Sequence, residues 1–522
     1  MNATSRPGTI LGVMCAGMFL VLLDVSAVQV ALPSIGRSLG ASLAGLQWVV
    51  DAYAVALAAL LLPSGALADR WGRRRMVLAG LGGFGLASLA CALSPTTGVL
   101  VATRAVQGVG AAVLLPATMA VIAQAFPGRR ERARALGLWA GISSLALPAG
   151  PVVGGVLVTA VGWRVVFLVN LPVVAAAAGL THRVVRESRH PGRTTLDVTG
   201  AVSLTIGLAA VVHAVISAGH DGLGPEVLVS SVVAIAAGAV FLRAEARAAD
   251  PVLPLGVLRT RSFVGPNIVA ACMNLVGIGT IFAVTLYLQQ LQRRSPMTSG
   301  LALVPLFLPL AALSPLTGRL VARFGPRLPM VSGLVVGALG CASLVLPQAN
   351  SPYAVLLPPL LGLGVGMGLL TSAVVTAAMQ ALSPERAGLA GGANNTVRQA
   401  GGALGVAGFG AVLGSAHAAG GFVAHLHLLG LSSAALWLLA AALTLLTVRP
   451  IGRRPATSGS PTEPGTLGVR RPAGVLEVGA ERGQLGHQIG IPAVDVEDVG
   501  DLRLPLGDQP GEHHTDGGAD VE

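Results

Sequence analysis

Long apolar runs constrain this chain more than any other feature of its sequence. A helix that crosses the hydrocarbon core of a bilayer needs about 20 mostly apolar residues. Windows of that length predict fourteen such helices in the 522 residues. Because backbone polar groups in lipid must be satisfied within the chain, the pattern predicts an all-α membrane protein. The predicted spans are roughly 9–33, 45–68, 76–94, 97–125, 133–159, 164–182, 197–217, 226–245, 262–291, 298–321, 328–347, 352–381, 386–414 and 422–448.

Composition agrees with a lipid-embedded bundle and excludes an ordinary soluble enzyme. Only 11% of the residues are charged, whereas soluble domains carry about 25%. The 70 glycines suit membrane helices, which approach closely through small residues. All 34 basic residues are arginine, and a Walker phosphate-binding loop needs a lysine. ATP-driven transport by this chain alone is therefore excluded, and we expect no nucleotide partner. The four cysteines follow no metal-ligand spacing, so we expect no metal.

The distribution of arginine predicts the orientation of the chain. The N-terminal tail and the even-numbered connectors carry 21 arginines, and the odd-numbered connectors carry four. Because basic residues collect on the cytoplasmic side of membrane proteins, we expect a multi-pass plasma-membrane protein with both termini in the cytoplasm. The same asymmetry explains the net charge of +11. We therefore expect the lipid bilayer, and no nucleic acid, as the partner of these charges.

Two connectors spell nearly the same string. Residues 65–74 read GALADRWGRR, and residues 318–327 read GRLVARFGPR. The copies follow spans 2 and 10, whereas two adjoining six-helix halves would place them six spans apart, so two inserted helices are predicted. Repeats of this kind build transporter folds whose substrate site lies between the halves. The predicted organisation is a cytoplasmic N-terminal tail (1–8), a first six-helix half (9–182), inserted helices 7 and 8 with their flanking basic connectors (183–260), a second six-helix half (261–448) and a disordered cytoplasmic tail (449–522).

The first copy resembles the signature of the major facilitator superfamily. Strings at 23–33, 104–110, 150–155 and 163–172 resemble, in order, motifs in helices 1, 4, 5 and 6 of its fourteen-helix drug:proton antiporters. The resemblance covers residues 9–448 and implies a bundle of two six-helix halves plus two inserted helices. It implies proton-coupled efflux, by alternating access, of hydrophobic or amphipathic small molecules such as antibiotics.

Three ionisable side chains are candidates for proton coupling: Asp24, Asp51 and Arg104. An ionisable group at the bilayer centre costs about 2.5–3.5 kcal/mol on insertion scales, which makes each of them a functional candidate. A guanidinium in span 4 must pair or reach water, so Arg104 is the expected partner of a carboxylate. The resemblance implicates this arginine in proton transfer, and some fourteen-helix exporters of cationic compounds have an acid at the Asp51 position. The alternatives are a packing carboxylate at Asp24 and a solvated helix start at Asp51.

Other polar and small residues are candidates for substrate contact or gating. The last six spans hold no acid, which favours a neutral, zwitterionic, anionic or monovalent substrate. Arg398 begins span 13 from the cytoplasm, so we expect its side chain to extend to the interface. The substrate candidates are Gln107, Asn267, Asn274 and Gln289. The gating and structural candidates are Gly65, Asp69, Arg70, Gly72 and Arg73 in the first connector, and Gly150, Pro151, Gly154 and Gly155 in helix 5.

These features leave two transport hypotheses on one fold. The first is the antibiotic exporter described above, driven by the proton gradient without a cofactor and working as a monomer on protons and a small-molecule substrate. The second is an exporter of one dedicated metabolite, such as an amino acid, lipid or siderophore. A membrane-embedded enzyme or a channel is a third class, but the sequence has no nucleophile motif or cluster of catalytic side chains. We therefore expect a protein that is not an enzyme.

Overall fold

The computed structural model describes residues 7–188, 198–248, 253–382, 387–414 and 419–448, and these residues contain no strand. They belong to one compact unit, Met1–Arg453. The predicted C-terminal tail and most of the N-terminal tail lie outside the described residues. The prediction of an all-α membrane bundle is confirmed.

The helices are α1 (Pro7–Leu39), α2 (Leu43–Trp71), α3 (Arg73–Ala92), α4 (Thr97–Ala125), α5 (Arg129–Ala160), α6 (Val165–Leu168), α7 (Asn170–Val184), α8 (Val198–Asp221), α9 (Pro225–Arg247), α10 (Arg261–Leu286), α11 (Pro296–Phe324), α12 (Arg327–Ala342), α13 (Leu357–Gln380), α14 (Ala387–Gly414) and α15 (Ala419–Thr447).

Thirteen stretches of the described helices are long and apolar enough to cross a membrane. The short α6 and α7 form one of these stretches, and a single π-helical turn, Tyr287–Leu291, extends α10. Helix α14 is not among the thirteen, because Asn394, Asn395 and Arg398 interrupt its apolar sequence. The predicted count of fourteen crossings is therefore not confirmed.

Helix packing in the first half recurs in the second. Helix α4 packs against α1, α2 and α3, and α5 packs against α1. Nine elements later in the chain, α13 packs against α10, α11 and α12, and α14 packs against α10. Helices α7 and α15 occupy equivalent places beside α3 and α12. This recurrence is what two copies of a six-helix unit produce, although the predicted segment boundaries stay a prediction.

Two seams join the halves. One seam is formed by α5 and α11, and the other by α2 and α14. Helix α8 packs against both α2 and α14, and its hairpin partner α9 packs against α8. The inserted helices α8 and α9 therefore lie over the α2–α14 seam and not over the α5–α11 seam.

The α5–α11 seam depends on glycine at the end of the bundle where α11 begins. A Cβ on Gly155 would lie 2.8 Å from the Cα of Met297, and Gly300 lies against the backbone carbonyl of Pro151. Further back along the same stripe of α5, Gly137 and Gly141 are exposed and have no atom within 4 Å of an added Cβ. Among the described residues, this seam is therefore tightly packed at one end only.

We predict that Gly155→Val destabilises the protein and that Gly141→Val does not. The isopropyl side chain of valine at Gly155 would overpack a backbone contact, which costs about 1–3 kcal/mol. The same change at Gly141 meets open space. The measurement is the free energy of unfolding of both variants in detergent, and an equal loss in the two would contradict the seam as described.

Candidate functional site

Asp24 and Arg104 form an ion pair inside the first half. Each residue is 1% exposed, and Arg104 Nη1 donates to Asp24 Oδ2 over 2.6 Å. Removing two charges from water is unfavourable, and their attraction offsets this only when further hydrogen bonds satisfy both groups. The surroundings of the pair are therefore as informative as the pair itself.

Two amides complete the coordination of the carboxylate. Gln107 Nε2 donates to Asp24 Oδ1 over 3.0 Å, and Asn170 Nδ2 donates to the same oxygen over 2.9 Å. Both amides also donate to Ser88 Oγ, at 2.8 and 3.2 Å. All three side chains are fully buried. Asp24 thus accepts hydrogen bonds from α4 and α7, and Ser88 ties α3 to the same network.

The guanidinium of Arg104 is held from α2 and α4. Its Nε donates to the carbonyl oxygen of Val49 over 3.1 Å, and Nη1 also donates to Gln107 Oε1 over 2.6 Å. Its central carbon lies 4.3 Å from the centre of the Tyr53 ring, a cation–π distance. A Cβ on Gly108 would lie 3.0 Å from Tyr53 Cα, so this glycine lets α4 approach α2 closely.

A small cavity adjoins the ion pair between the two halves. From the first half it is lined by Gln29, Tyr53 and Arg104 among others, and from the second half by Ile278, Gln399 and Gly402. Arg104 therefore contacts both the carboxylate network and the space between the halves. A proton on Asp24 would remove the charge that Arg104 now neutralises, and so would change the electrostatic potential of this cavity.

Asp51 is buried separately from the ion pair. It is 0% exposed, and neither of its carboxylate oxygens has a hydrogen-bond partner in the described part of the chain. One turn before it, Gln47 donates to the carbonyl oxygen of Ala407 on α14 over 2.8 Å. One turn after it, Val55 packs in a cluster with residues of α8 and α14, including Val212. Asp51 therefore lies on the side of α2 nearest these helices, and the alternative of a solvated helix start is wrong.

The structure separates the four predicted substrate residues. Gln107 belongs to the ion-pair network. Asn267 donates to the carbonyl oxygen of Phe263 over 2.8 Å and accepts from Asn394 over 3.2 Å. Gln289 Nε2 donates to the carbonyl oxygen of Val30 over 2.9 Å, which joins α10 to α1. Asn274 is buried and lies one helical turn before Ile278, a residue that lines the cavity.

The predicted connector motif is attached to the segment that follows α7. Gly72 joins α2 to α3 with a φ of +107°, a conformation that favours glycine. Beside it, Arg73 Nη1 donates to the carbonyl oxygen of Ala120 over 3.4 Å. Glu187 accepts from the backbone N–H groups of Arg74 and Arg75 at 3.2 and 3.1 Å. The motif therefore joins α2, α3, α4 and the end of the first half.

The remaining motif residues pack helices together. Gly65 lies in α2, with the Pro116 side chain 3.8 Å from an added Cβ, and Arg70 lies in the last turn of α2. The side chain of Asp69 lies outside the described residues. In α5, a Cβ on Gly154 would lie 2.9 Å from Ala27 Cα, and Gly150 lies against Ser26. Together with the Pro151 and Gly155 contacts, these glycines place α5 against α1 on one side and α11 on the other.

Sequence reasoning missed several members of the network. Asn170 lies in the helix-6 string at residues 163–172, and an amide in an apolar span indicates a buried hydrogen-bond partner. Ser88 and the Val49 carbonyl carry no such signal, because many serines in apolar helices bond only to their own backbone. Glu187 follows a helix end and bonds to a connector more than 100 residues earlier in the chain.

Comparison with known proteins places this architecture in a family. The family model described as Major Facilitator Superfamily matches residues 14–406. The fold is similar to that of a crystal structure of the peptide transporter POT in complex with sulfate, with a TM-score of 0.63 at 15% identity, covering 86% of this chain and 96% of that one.

Several known relatives share more of the sequence. The methylenomycin A resistance protein of Streptomyces coelicolor is 37% identical over 77% of this chain and 85% of that protein. The multidrug resistance protein Stp of Mycobacterium tuberculosis is 36% identical over 76% of this chain and 74% of that protein. The multidrug efflux pump LfrA of Mycolicibacterium smegmatis is 32% identical over 78% of this chain and 81% of that protein. This chain therefore belongs to the Major Facilitator Superfamily of multi-pass membrane transporters.

Proposed function

We propose that the protein exports hydrophobic or amphipathic small molecules, including antibiotics, across the plasma membrane in exchange for protons. The observation that carries the proposal is the buried Asp24–Arg104 pair beside the cavity between the halves. The names of the relatives support antibiotics as substrates, since they include resistance to one antibiotic and efflux of several drugs. That support favours antibiotic export over the rival hypothesis of one dedicated metabolite.

Asp24 is the proposed proton carrier. When it is ionised, Arg104, Gln107 and Asn170 donate three hydrogen bonds to its two oxygens. A proton on either oxygen removes the charge, weakens the bond to Arg104 and turns one acceptor into a donor. Arg104 then carries an uncompensated positive charge at the wall of the cavity. Proton binding and release at Asp24 thus control the charge that a bound substrate meets.

Asp51 is the proposed second proton site. A buried carboxylate without a hydrogen-bond partner is stabilised by binding a proton, because the neutral acid avoids the desolvation of a charge. Its place near α8 and α14 connects this site to the seam between the halves. Loss or gain of the proton would therefore change the stability of that seam.

Alternating access is the proposed transport cycle. The α5–α11 seam is closed by backbone contacts at Gly155 and Gly300 and is open toward Gly141, which is what a bundle closed at one end requires. The open end holds the α2–α3 connector with its arginines, and we propose that this end faces the cytoplasm. We propose further that the chain works as a monomer without a cofactor, as a transporter and not an enzyme.

We predict that Asp24→Asn abolishes proton-coupled export, as measured on variant protein that is first shown to be folded and inserted. Asparagine keeps the size of the side chain but does not bind a proton. The measurement uses inverted membrane vesicles with an imposed pH gradient and records dye dequenching on addition of antibiotics and quaternary amines. The wild type should dissipate the gradient with at least one compound, and Asp24→Asn with none. The matched control is Glu226→Gln, which neutralises an exposed acid at the start of α9.

Two results would count against the proposal. Gradient dissipation by Asp24→Asn at the wild-type rate would remove Asp24 from proton coupling. A wild-type protein that is folded and inserted, yet unresponsive to every compound, would favour export of one dedicated metabolite instead.

We predict that Arg104→Gln destabilises the protein more than the double variant Asp24→Asn/Arg104→Gln. The single change leaves a buried carboxylate without its counter-ion, which costs about 3–5 kcal/mol. The double change leaves no buried charge at this place, so much of that stability should return while transport stays lost. The free energies of unfolding of the four proteins in the cycle measure the coupling, and additive losses would show that the pair is not coupled.

We predict that Asp51→Asn raises the free energy of unfolding while lowering proton-coupled export. An unsatisfied buried polar group costs about 1–3 kcal/mol, and more when charged, so at a pH where Asp51 is ionised the amide removes the larger cost. Asp51→Glu keeps the charge and should gain no stability. If Asp51→Asn destabilises the protein instead, the carboxylate has a stabilising partner, and the second proton site is not supported.

A further inference from the structure

Arg398 lies deep within α14. It is the twelfth residue of the 28-residue helix Ala387–Gly414, about 16 Å along the axis from its start. Its Nε is buried. The residue as a whole is partly exposed, so the expectation that the end of its side chain extends to the interface stays a prediction.

The guanidinium of Arg398 has no partner among the described residues. No hydrogen bond or ion pair reaches it, and its Nε is one of the buried polar atoms without a partner. Helices α10 to α15 contain no Asp or Glu within their described residues, so the second half supplies no counter-ion. Arg104, by contrast, bonds to a carboxylate, an amide oxygen and a carbonyl oxygen. Because a guanidinium keeps its proton, Arg398 carries a positive charge without a counter-ion among the described residues.

The position of Arg398 along α14 places it beside the cavity between the halves. Residues four apart lie on one face of a helix. One turn before Arg398, Asn394 bonds to Asn267 on α10, and one turn after it, Gly402 lines the cavity. Gln399, the next residue, also lines the cavity. Arg398 thus lies on the α14 face that passes from α10 into the space between the halves.

Two side-chain amides near this position, those of Gln399 and Asn274, can donate further hydrogen bonds. Gln399 contributes an amide to the cavity wall. Asn274 on α10 makes no side-chain hydrogen bond within the described ranges and lies one turn from the cavity residue Ile278. A guanidinium with amide donors on two neighbouring helices matches the oxygen atoms of an oxyanion, which Arg binds through two parallel hydrogen bonds.

We infer that Arg398 binds an anionic group of the transported molecule, a carboxylate or a phosphate. The inference rests on the proposed export function and specifies its substrate class as acids or zwitterions with an apolar body. A lipid headgroup has the same chemistry, but the residues around Arg398 line the space between the halves. We therefore assign the site to a substrate, with Gln399 and Asn274 as further donors.

The first experiment measures binding without transport. The probes are pyrenebutyrate, an amphipathic anion, and pyrenebutanol, its neutral counterpart, and the signal is energy transfer from tryptophan to pyrene in the purified full chain. The wild type should bind the anion about tenfold more tightly than the alcohol, since a charged hydrogen bond contributes about that factor. Arg398→Gln should lose this preference, Arg398→Lys should keep part of it, and Arg319→Gln, which removes an exposed arginine from α11, should keep all of it.

Three outcomes of the binding experiment overturn the inference. The first is a wild-type chain that binds the anion no more tightly than the alcohol. The second is an Arg398→Gln variant that keeps the preference, or that loses affinity for both probes equally. The third is a preference that added phosphatidylglycerol abolishes at Arg398, which would assign the site to a lipid headgroup.

The second experiment separates this inference from the proposed function. Efflux of pyrenebutyrate, pyrenebutanol and a pyrenebutyl trimethylammonium cation is followed in cells that express the wild type or Arg398→Gln. Loss of anion efflux alone in the variant supports both proposals. An anion preference in binding without efflux of any probe leaves the anion site standing and contradicts drug export. Efflux of the cation and alcohol but never the anion supports export and overturns the anion site.

Discussion

The buried Asp24–Arg104 ion pair is the interaction on which the first half of the bundle depends. Two charges removed from water need each other, and each also needs further partners. The chain supplies these from four helices besides α1, through Ser88, Val49, Gln107 and Asn170. The pair therefore fixes the relative positions of α1, α2, α3, α4 and α7, and a single proton at its centre would disturb all of them.

In the described part of the chain, the second half lacks the acidic counter-ion that the first half supplies to its buried arginine. Its helices repeat the packing of the first half, but within the described residues they contain five arginines and no acid. Arg398 has no counter-ion there, whereas Arg104 has one. A repeat in which one copy buries two carboxylates and an arginine, and the other has an arginine without a counter-ion, suits a division of roles. In the proposed cycle the first half handles the proton and the second half handles the substrate.

The fold followed from the sequence because the apolar runs and the repeated connector are local patterns with few structural solutions. The pairing of Asp24 with Arg104 was also predictable, since isolated charges in lipid must find partners. Ser88 and Asn170 were not predicted to join them, because that depends on how α3 and α7 rotate against α1 and α4. The sequence placed Arg398 correctly, since the predicted span 386–414 matches α14, but its lack of a partner depends on the neighbouring helices, which the sequence does not show.

A continuous series of contacts links the ion pair to the seam between the halves. Two and three residues after Asp24, Ser26 and Ala27 lie against Gly150 and Gly154 of α5, where an added Cβ would collide with them. The next residue of α5, Gly155, makes the backbone contact with α11 that closes the seam at one end. Because only the small side chains of Ser26 and Ala27 lie between the backbones of α1 and α5 here, a small movement of α1 is transmitted to α5 with little cushioning. In the proposed cycle, a proton that loosens Asp24 from Arg104 would therefore act directly on α5 and, through α5, on the second half.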